Sequence, residues 1–269
     1  MRSNRLIRGL TWTLAGLLAV LATLIWFAPA VMVDVALERA TAGRLRLANA
    51  SGTFWDGRGR LVLADVLADV STSNEFVGDR TIVQGLVLPG ELNWSIRRLP
   101  ILLGMIDASL QVDGMTGPLR MSGSFNELRL SAGNLNLASM ELSKLGSPWN
   151  TIRPSALISL RWSDLTIRNG LFDGKMTIEL RDASSVLTPV QPLGSYQIEV
   201  SGNGQQAVLN LTTLKGPLNL TGSGSWSNRG GLRFLAQASP DPAERERLQS
   251  FLALVGRREG EKTIIKIGA

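Results

Sequence analysis

The chain has 269 residues and a formal net charge of +6, and it contains no cysteine and no histidine. These two absences exclude a thiolate nucleophile, an imidazole base and the common zinc, copper and haem ligand sets. Disulfides cannot stabilise the fold, so buried apolar surface and backbone hydrogen bonds must do so. We therefore expect no metal, no cofactor and no catalytic site of the usual hydrolase or metalloenzyme kind.

The N-terminal region has the pattern of a membrane anchor. Residues 9–33 carry no charged side chain, and they follow a tail, residues 1–8, that contains Arg2, Arg5 and Arg8. A helix of about 20 apolar residues suffices to cross a bilayer. The arginine bias predicts a cytoplasmic tail and a single-pass inner-membrane anchor, with the rest of the chain in the periplasm.

A cleaved secretory signal is the alternative interpretation of the same segment. Ala28-Pro29-Ala30 has the small-x-small form of a cleavage site. The apolar run is longer than the roughly 7 to 15 residues of a signal peptide, which favours a retained anchor. Both interpretations export the remainder of the chain.

A short helix and a β-rich domain are predicted after the anchor. The pattern from Val31 to Ala42 is helical and Gly43 is placed as its C-terminal cap, and we assign residues 34–43 to a short amphipathic helix. From Leu45 the apolar period changes to two, which is typical of half-buried strands. Residues 44–269 are therefore predicted to form a periplasmic β-rich domain.

Alternating segments recur along this domain and are separated by turns rich in glycine and proline. Leu92, Trp94 and Ile96 alternate with polar residues, and similar segments lie at 106–112, 128–130, 135–137, 158–162, 176–181, 196–200, 209–211 and 218–220. This pattern predicts a mainly β fold: a curled antiparallel sheet with one apolar face, arranged as a meander or a partly open barrel. A Trp-Ser dipeptide at Trp94, Trp162 and Trp226 suggests a loose repeat.

The C-terminal region contains a second helical pattern. Asp241 and Pro242 are favourable residues for a helix start, and Leu248, Phe251, Leu252 and Val255 would then share one face before Gly256. We expect this helix to pack on the sheet, with a partner-binding helix as the alternative. Residues 263–267 are predicted to form a closing strand.

Several short motifs carry a resemblance to a known family. The segment Gly52-Thr53-Phe54-Trp55-Asp56-Gly57 is followed by Pro89-Gly90-Glu91-Leu92-Asn93-Trp94 and by Pro192-Leu193-Gly194-Ser195-Tyr196. This series resembles protein N of the type II, or general, secretion pathway. The positions that carry it are Gly52, Thr53, Trp55, Gly57, Trp94, Gly194, Tyr196 and Gly256.

The resemblance implies a function based on contact rather than catalysis. Members of that family are inner-membrane components that aid the export of folded proteins from the periplasm across the outer membrane, together with other type II secretion components. For the eight motif residues it implies structural roles. Nucleic acid is not an expected partner, because the arginines are spread along the chain without a basic cluster interleaved with aromatic residues.

Two other functions remain open from the sequence. A curled sheet with an apolar face also resembles AsmA-like and lipopolysaccharide-bridge proteins, which would imply a periplasmic protein that binds or transports a lipid or hydrophobic ligand. A carboxylate-dependent glycan hydrolase would need two carboxyl groups in a cleft, for which Asp164, Asp173 and Glu179 are the nearest candidates. Solvated turns and polar strand faces explain these three acids better.

Overall fold

A computed structural model describes most of the predicted β-rich domain and parts of the N-terminal segment. The described residues are 12, 16–17, 19–20, 23–41, 43–64, 85–141, 152–168, 170–227 and 230–268. The predicted tail, 1–8, lies outside the described residues, as do parts of the predicted anchor up to residue 22. Within the described ranges no helix is both long enough and apolar enough to cross a membrane.

Among the described residues, three helices follow the N-terminal segment and accompany the sheet. Residues 23–26 are helical, and after an interruption at residues 27–30 helix α1 follows (Val31–Ala40). Helix α2 (Arg98–Leu102) lies between two strands, and helix α3 (Arg245–Val255) is preceded by a 3₁₀ turn (Pro242–Glu244). The short helix predicted after the anchor and the predicted C-terminal helix are thus present, whereas the sequence pattern did not predict α2.

The described strands belong to one antiparallel sheet. They are β1 (Leu45–Gly52), β2 (Asp56–Ala64), β3 (Gly85–Val87), β4 (Leu92–Ile96), β5 (Met105–Val112), β6 (Leu119–Ser124), β7 (Glu127–Leu130), β8 (Gly133–Glu141), β9 (Pro154–Trp162), β10 (Leu165–Arg168), β11 (Leu171–Ser185), β12 (Gly194–Asn203), β13 (Ala207–Lys215), β14 (Leu218–Ser227), β15 (Gly231–Pro240), β16 (Arg257–Glu259) and β17 (Lys262–Ile267).

The sheet is a meander in which successive strands pair along the chain. At three positions, two short strands lie end to end. Strands β3 and β4 both pair with β2, and β9 and β10 both pair with β11. Strands β7 and β8 also lie end to end, with β7 paired to β10 and β8 paired to β9. The meander continues from β11 to β15, which pairs with β17, and β17 pairs with β16. No pairing joins β1 to β16 or β17 among the described strands, so the curled sheet is not closed. The predicted curled meander is confirmed.

The register places apolar side chains of neighbouring strands on one face. Trp94 lies opposite Leu110, and Ile178 lies between Leu160 on β9 and Ile198 on β12. Because side chains alternate along a strand, the polar residues between them fall on the other face. The period-two pattern in the sequence therefore corresponds to a single continuous apolar face.

Buried cores lie towards the two ends of this face, where the helices pack. Towards the N-terminal end the buried residues are Ala30, Leu47, Leu92 and Trp94, and towards the C-terminal end they are Val190, Leu193, Leu218, Ala238, Leu248, Phe251 and Leu252. A third buried cluster consists of Tyr196, Leu211 and Ala236. Elsewhere along the face, buried residues such as Leu165 stand among half-buried apolar ones. The predicted packing of the C-terminal helix on the sheet is confirmed.

Candidate functional site

The hairpin turn between β1 and β2 carries the first family motif. The Thr53 amide donates to the Asp56 carbonyl oxygen at 2.8 Å, and the Asp56 amide donates to Thr53 Oγ1 at 3.1 Å. Gly52 has φ +94°, and a Cβ added there would lie 2.6 Å from the Asp56 carbonyl oxygen. The turn therefore requires glycine at position 52 and uses the Thr53 hydroxyl to close.

This turn is also where the N-terminal segment meets the sheet. Phe54 donates its amide proton to the Ala28 carbonyl oxygen at 2.8 Å, and Trp55 Nε1 donates to the Ile25 carbonyl oxygen at 2.9 Å. A β-bridge joins Pro29 to Thr53. We call residues 25–30 together with residues 52–57 the junction. Because Trp55 is only 6% exposed, the junction has a buried aromatic centre.

Trp94 on β4 packs against the junction from the neighbouring strand. Its Nε1 donates to the Phe54 carbonyl oxygen at 3.1 Å, and its ring covers Gly57, where an added Cβ would overlap the ring. The Ile96 amide also donates to the Trp55 carbonyl oxygen at 2.6 Å. The two family motifs, which are separated in sequence, therefore form one packed unit.

A second tryptophan, Trp162 on β9, makes the same arrangement with the neighbouring strand β8. Trp162 Nε1 donates to the Ser131 carbonyl oxygen at 2.9 Å, and a Cβ added at Gly133 would lie 2.7 Å from the Trp162 ring. Trp94 and Trp162 thus each cover a glycine of the adjacent strand and bind a turn carbonyl. Trp226 lies opposite Ala207 and Leu232 instead of a glycine. Two of the three Trp-Ser sites therefore share the arrangement of a tryptophan over a glycine.

Helix α1 lies against the free edge of β1 and is held there by Asp34. This carboxylate accepts the Leu47 amide at 2.6 Å and two guanidinium hydrogen bonds from Arg46 at 3.1 and 3.0 Å. Glu38 pairs with the same arginine at 3.1 Å. Burial tends to raise the pKa of Asp34, but the hydrogen bonds from Arg46 and Leu47 and the charge of Arg46 outweigh it, so the pKa is lowered. The edge of β1 is therefore occupied by α1.

Helix α2 approaches the junction through an arginine. The guanidinium carbon of Arg98 lies 4.1 Å from the centre of the Trp26 ring and 5.7 Å from that of Trp55. Trp55 also contacts Phe54 edge to face, with ring centres 5.2 Å apart. A cation over an aromatic face is attracted by the ring quadrupole, so α2 is joined to the end of the N-terminal segment.

The remaining motif residues lie elsewhere in the sheet. The Tyr196 hydroxyl is buried in β12 and donates to the Leu218 carbonyl oxygen at 3.0 Å, and burial raises the pKa of this phenol. An added Cβ at Gly194 would lie 2.8 Å from the Lys215 carbonyl oxygen, and one at Gly256 would lie 2.5 Å from that of Ile264. These three residues support the C-terminal end of the sheet and do not join the junction.

Two of the three acids considered for glycan hydrolysis have structural partners, and the third is exposed. Asp164 Oδ1 accepts the Ala132 amide at 2.7 Å, in the break between β7 and β8, and Glu179 forms an ion pair with Arg161. Asp173 is exposed on β11. In the part of the chain that the structure describes, no group of acidic side chains is arranged to hold a metal ion.

Comparison with known proteins identifies the family. A family model described as "Type II secretion system (T2SS), protein N" matches residues 27–265. The chain belongs to this family. Searches of curated proteins and of solved structures found no match. The resemblance inferred from the short motifs is thus confirmed, and it places this protein N chain among type II secretion components.

In this protein N chain, two residues outside the junction make contacts that the sequence pattern does not predict. The first is Asp34, which is buried against Arg46 although it belongs to a short amphipathic helix. The second is Arg98, which precedes an apolar run, residues 99–103, that lacks the alternation of the strands around it. That break in the pattern was the signal available for α2.

Proposed function

We propose that this chain is a non-enzymatic inner-membrane component of the type II secretion machine that aids export of folded proteins from the periplasm across the outer membrane. The observation that carries the proposal is the family match over residues 27–265. The described geometry supports it, because Asp164 accepts a backbone amide between two strands, Glu179 is in an ion pair and the motif residues form packing contacts. The chain therefore contributes through contacts with other molecules and not through catalysis.

The proposed topology has the tail, residues 1–8, in the cytoplasm, an anchor at residues 9–33, a short amphipathic helix at residues 34–43 and a periplasmic domain at residues 44–269. The uncharged sequence of residues 9–33 supports the anchor. Large apolar side chains in this segment are also exposed, among them Leu17, Val20, Leu24, Ile25 and Phe27. A bilayer would cover them and remove this apolar surface from water.

The junction would then set the position of the sheet relative to the anchor. Its hydrogen bonds run from residues 25–30 to the motif turn, and Trp55 and Trp94 exclude water from them. A movement of the anchor would consequently be passed to β1, β2 and β4 without an intervening flexible linker. This role explains why Gly52, Trp55, Gly57 and Trp94 are glycines and tryptophans rather than chemically reactive side chains.

Partner binding is proposed at the opposite edge of the sheet. The edge of β1 is covered by α1, whereas all three residues of β16 are exposed and no described strand pairs with its outer side. An open edge can add a strand from another chain through backbone hydrogen bonds. Another component of the secretion machine would be the partner.

Deletion of the gene in its host tests the proposed function. We expect the substrates of the type II pathway to accumulate in the periplasm and to be lost from the medium, and a plasmid copy to restore them. A periplasmic marker protein serves as the control for leakage. Unchanged secretion of every substrate of the pathway would contradict the proposal.

A further inference from the structure

An exposed apolar patch surrounds helix α2. Leu99, Leu102 and Leu103 are 76%, 81% and 79% exposed, and the last two are the most exposed large apolar side chains of the described residues. Met105 and Phe125 are exposed beside them, since Met105 pairs with Ser124 and Phe125 follows directly in the β6–β7 turn. These five residues are called the α2 patch. Water contact with so much apolar surface is unfavourable, so the patch indicates an interaction site.

The patch lies next to the end of the N-terminal segment. Arg98 at the start of α2 stacks on Trp26, and Trp26 and Phe27 are themselves exposed. A surface that begins at this point is continuous with Trp26 and Phe27, which belong to the C-terminal part of the proposed anchor. The molecules that cover Trp26 and Phe27, whether lipid or protein, are therefore close to α2.

Charge and residue type favour lipid as the medium. Arg97 pairs with Asp107 at 2.8 Å, whereas Arg98 has no carboxylate partner among the described residues. Leucine and phenylalanine side chains with a flanking arginine and tryptophan suit the boundary between acyl chains and anionic headgroups.

We propose that the α2 patch inserts into the periplasmic leaflet of the inner membrane, beside the anchor, as a second membrane contact. This inference rests on the proposed membrane anchoring. One helix leaves a domain free to rotate about its axis, whereas a second contact at α2 fixes which way the sheet faces. The bilayer phospholipid is the ligand, held by the apolar side chains and by Arg98 at headgroup depth.

Fluorescence quenching in membranes of defined composition tests the proposal. Because the full chain has no cysteine, Leu102→Cys and Leu99→Cys each provide a single labelling site for an environment-sensitive dye. Gly117→Cys is the matched control, because it lies in the turn at the other end of β5 and has open space around it. The labelled full-length chains are reconstituted into phosphatidylethanolamine and phosphatidylglycerol vesicles, with and without lipids that carry a spin label near the headgroup end of the acyl chain.

We expect blue-shifted emission and loss of emission with spin-labelled lipid at positions 99 and 102, and neither at position 117. The proposal would be overturned if the chains float with the vesicles but the dye emission is equal and unquenched at all three positions. That result would leave the proposed anchor unaffected. Chains that fail to float would overturn the anchor and the α2 contact together. A dye at position 102 that changes only on addition of a second secretion component would assign the patch to a protein and also overturn the proposal.

Discussion

Trp55 Nε1 lies 2.9 Å from the carbonyl oxygen of Ile25, so the buried ring of the β1–β2 turn is hydrogen-bonded to the last turn of the N-terminal helical segment. This bond joins the centre of the family motif to the residues that lead out of the proposed anchor. The glycines and tryptophans of the motif are thus explained by one local structure. Changes within that structure should alter stability and secretion together.

Gly57→Ala should destabilise the junction. The added methyl group would overlap the Trp94 ring, which is buried, so either the ring or the β2 backbone must move. We expect a loss of about 1–3 kcal/mol in the free energy of unfolding, the usual range for overpacking a core. The measurement is chemical denaturation of the purified full chain in detergent, followed by tryptophan fluorescence.

Gly117→Ala is the control for this change. Its added Cβ would meet nothing within 4 Å. We expect a change within about 0.5 kcal/mol, as for most surface substitutions. Equal stabilities of the two variants would show that the ring does not need the space above Gly57.

Asp34→Asn should weaken the attachment of α1 to β1. The substitution removes the charge that Arg46 and the Leu47 amide stabilise, and we expect a loss of about 1–3 kcal/mol at neutral pH. The pKa of Asp34 is lowered in the folded chain, so its contribution is complete above the unfolded value near 4 and disappears as the pH falls through the folded value. The difference between wild type and variant should therefore shrink in acid.

Denaturation curves from pH 7 down to pH 3 measure this difference. Asp173→Asn is the matched control, because Asp173 is exposed and its replacement should change the free energy of unfolding little. A gap between wild type and Asp34→Asn that stays constant in acid would contradict the assigned ion pair.

The C-terminal helix offers a comparison between two leucines on one element. Leu248 is fully buried in α3 against the sheet, whereas Leu254 is 64% exposed on the same helix. Leu248→Ala should lower the free energy of unfolding by about 2–5 kcal/mol through lost burial and a residual cavity. Leu254→Ala should change it by about 0.5 kcal/mol or less. Similar losses for both would mean that α3 does not pack as described.

Tyr196 allows a spectroscopic test because it is the only tyrosine in the chain. Burial raises the pKa of its phenol, and the hydroxyl donates to the Leu218 carbonyl oxygen. The folded chain should therefore show no tyrosinate absorbance near pH 10, where the denatured chain titrates. Since the folded pKa is raised, stability should fall as the pH rises past the unfolded value. A normal titration of the folded chain would place the phenol in solvent.

The sequence predicted the strands well where one face is apolar. At residues 92–96 and 106–112 the alternation is regular, and β4 and β5 have nearly the same bounds. The C-terminal helix was predicted for the same reason, since its apolar residues have a helical period, although it begins with a 3₁₀ turn at Pro242. The spacing of apolar residues along the chain determines these elements, and this spacing can be read directly from the sequence.

The long-range contacts of the junction were not predictable in the same way. Nothing in the local pattern of Trp55 or Trp94 says which carbonyl oxygen each indole meets, because Ile25 and Phe54 are 30 and 40 residues away from them. Asp34 has the spacing of an exposed residue on an amphipathic helix, and only the packing of α1 on the β1 edge buries it. The motif residues could be identified from the sequence, whereas the groups that they contact could be identified only from the folded structure.

The most direct test of the account is to release the domain from the membrane in cells. In a strain that lacks the gene, residues 1–22 are replaced either by a cleavable signal peptide or by an unrelated uncleaved membrane helix, so that the junction stays intact in both. We predict that the anchored version restores the secreted fraction of type II substrates, whereas the released domain accumulates folded in the periplasm without restoring it. Wild-type secretion supported by the released domain would contradict the account.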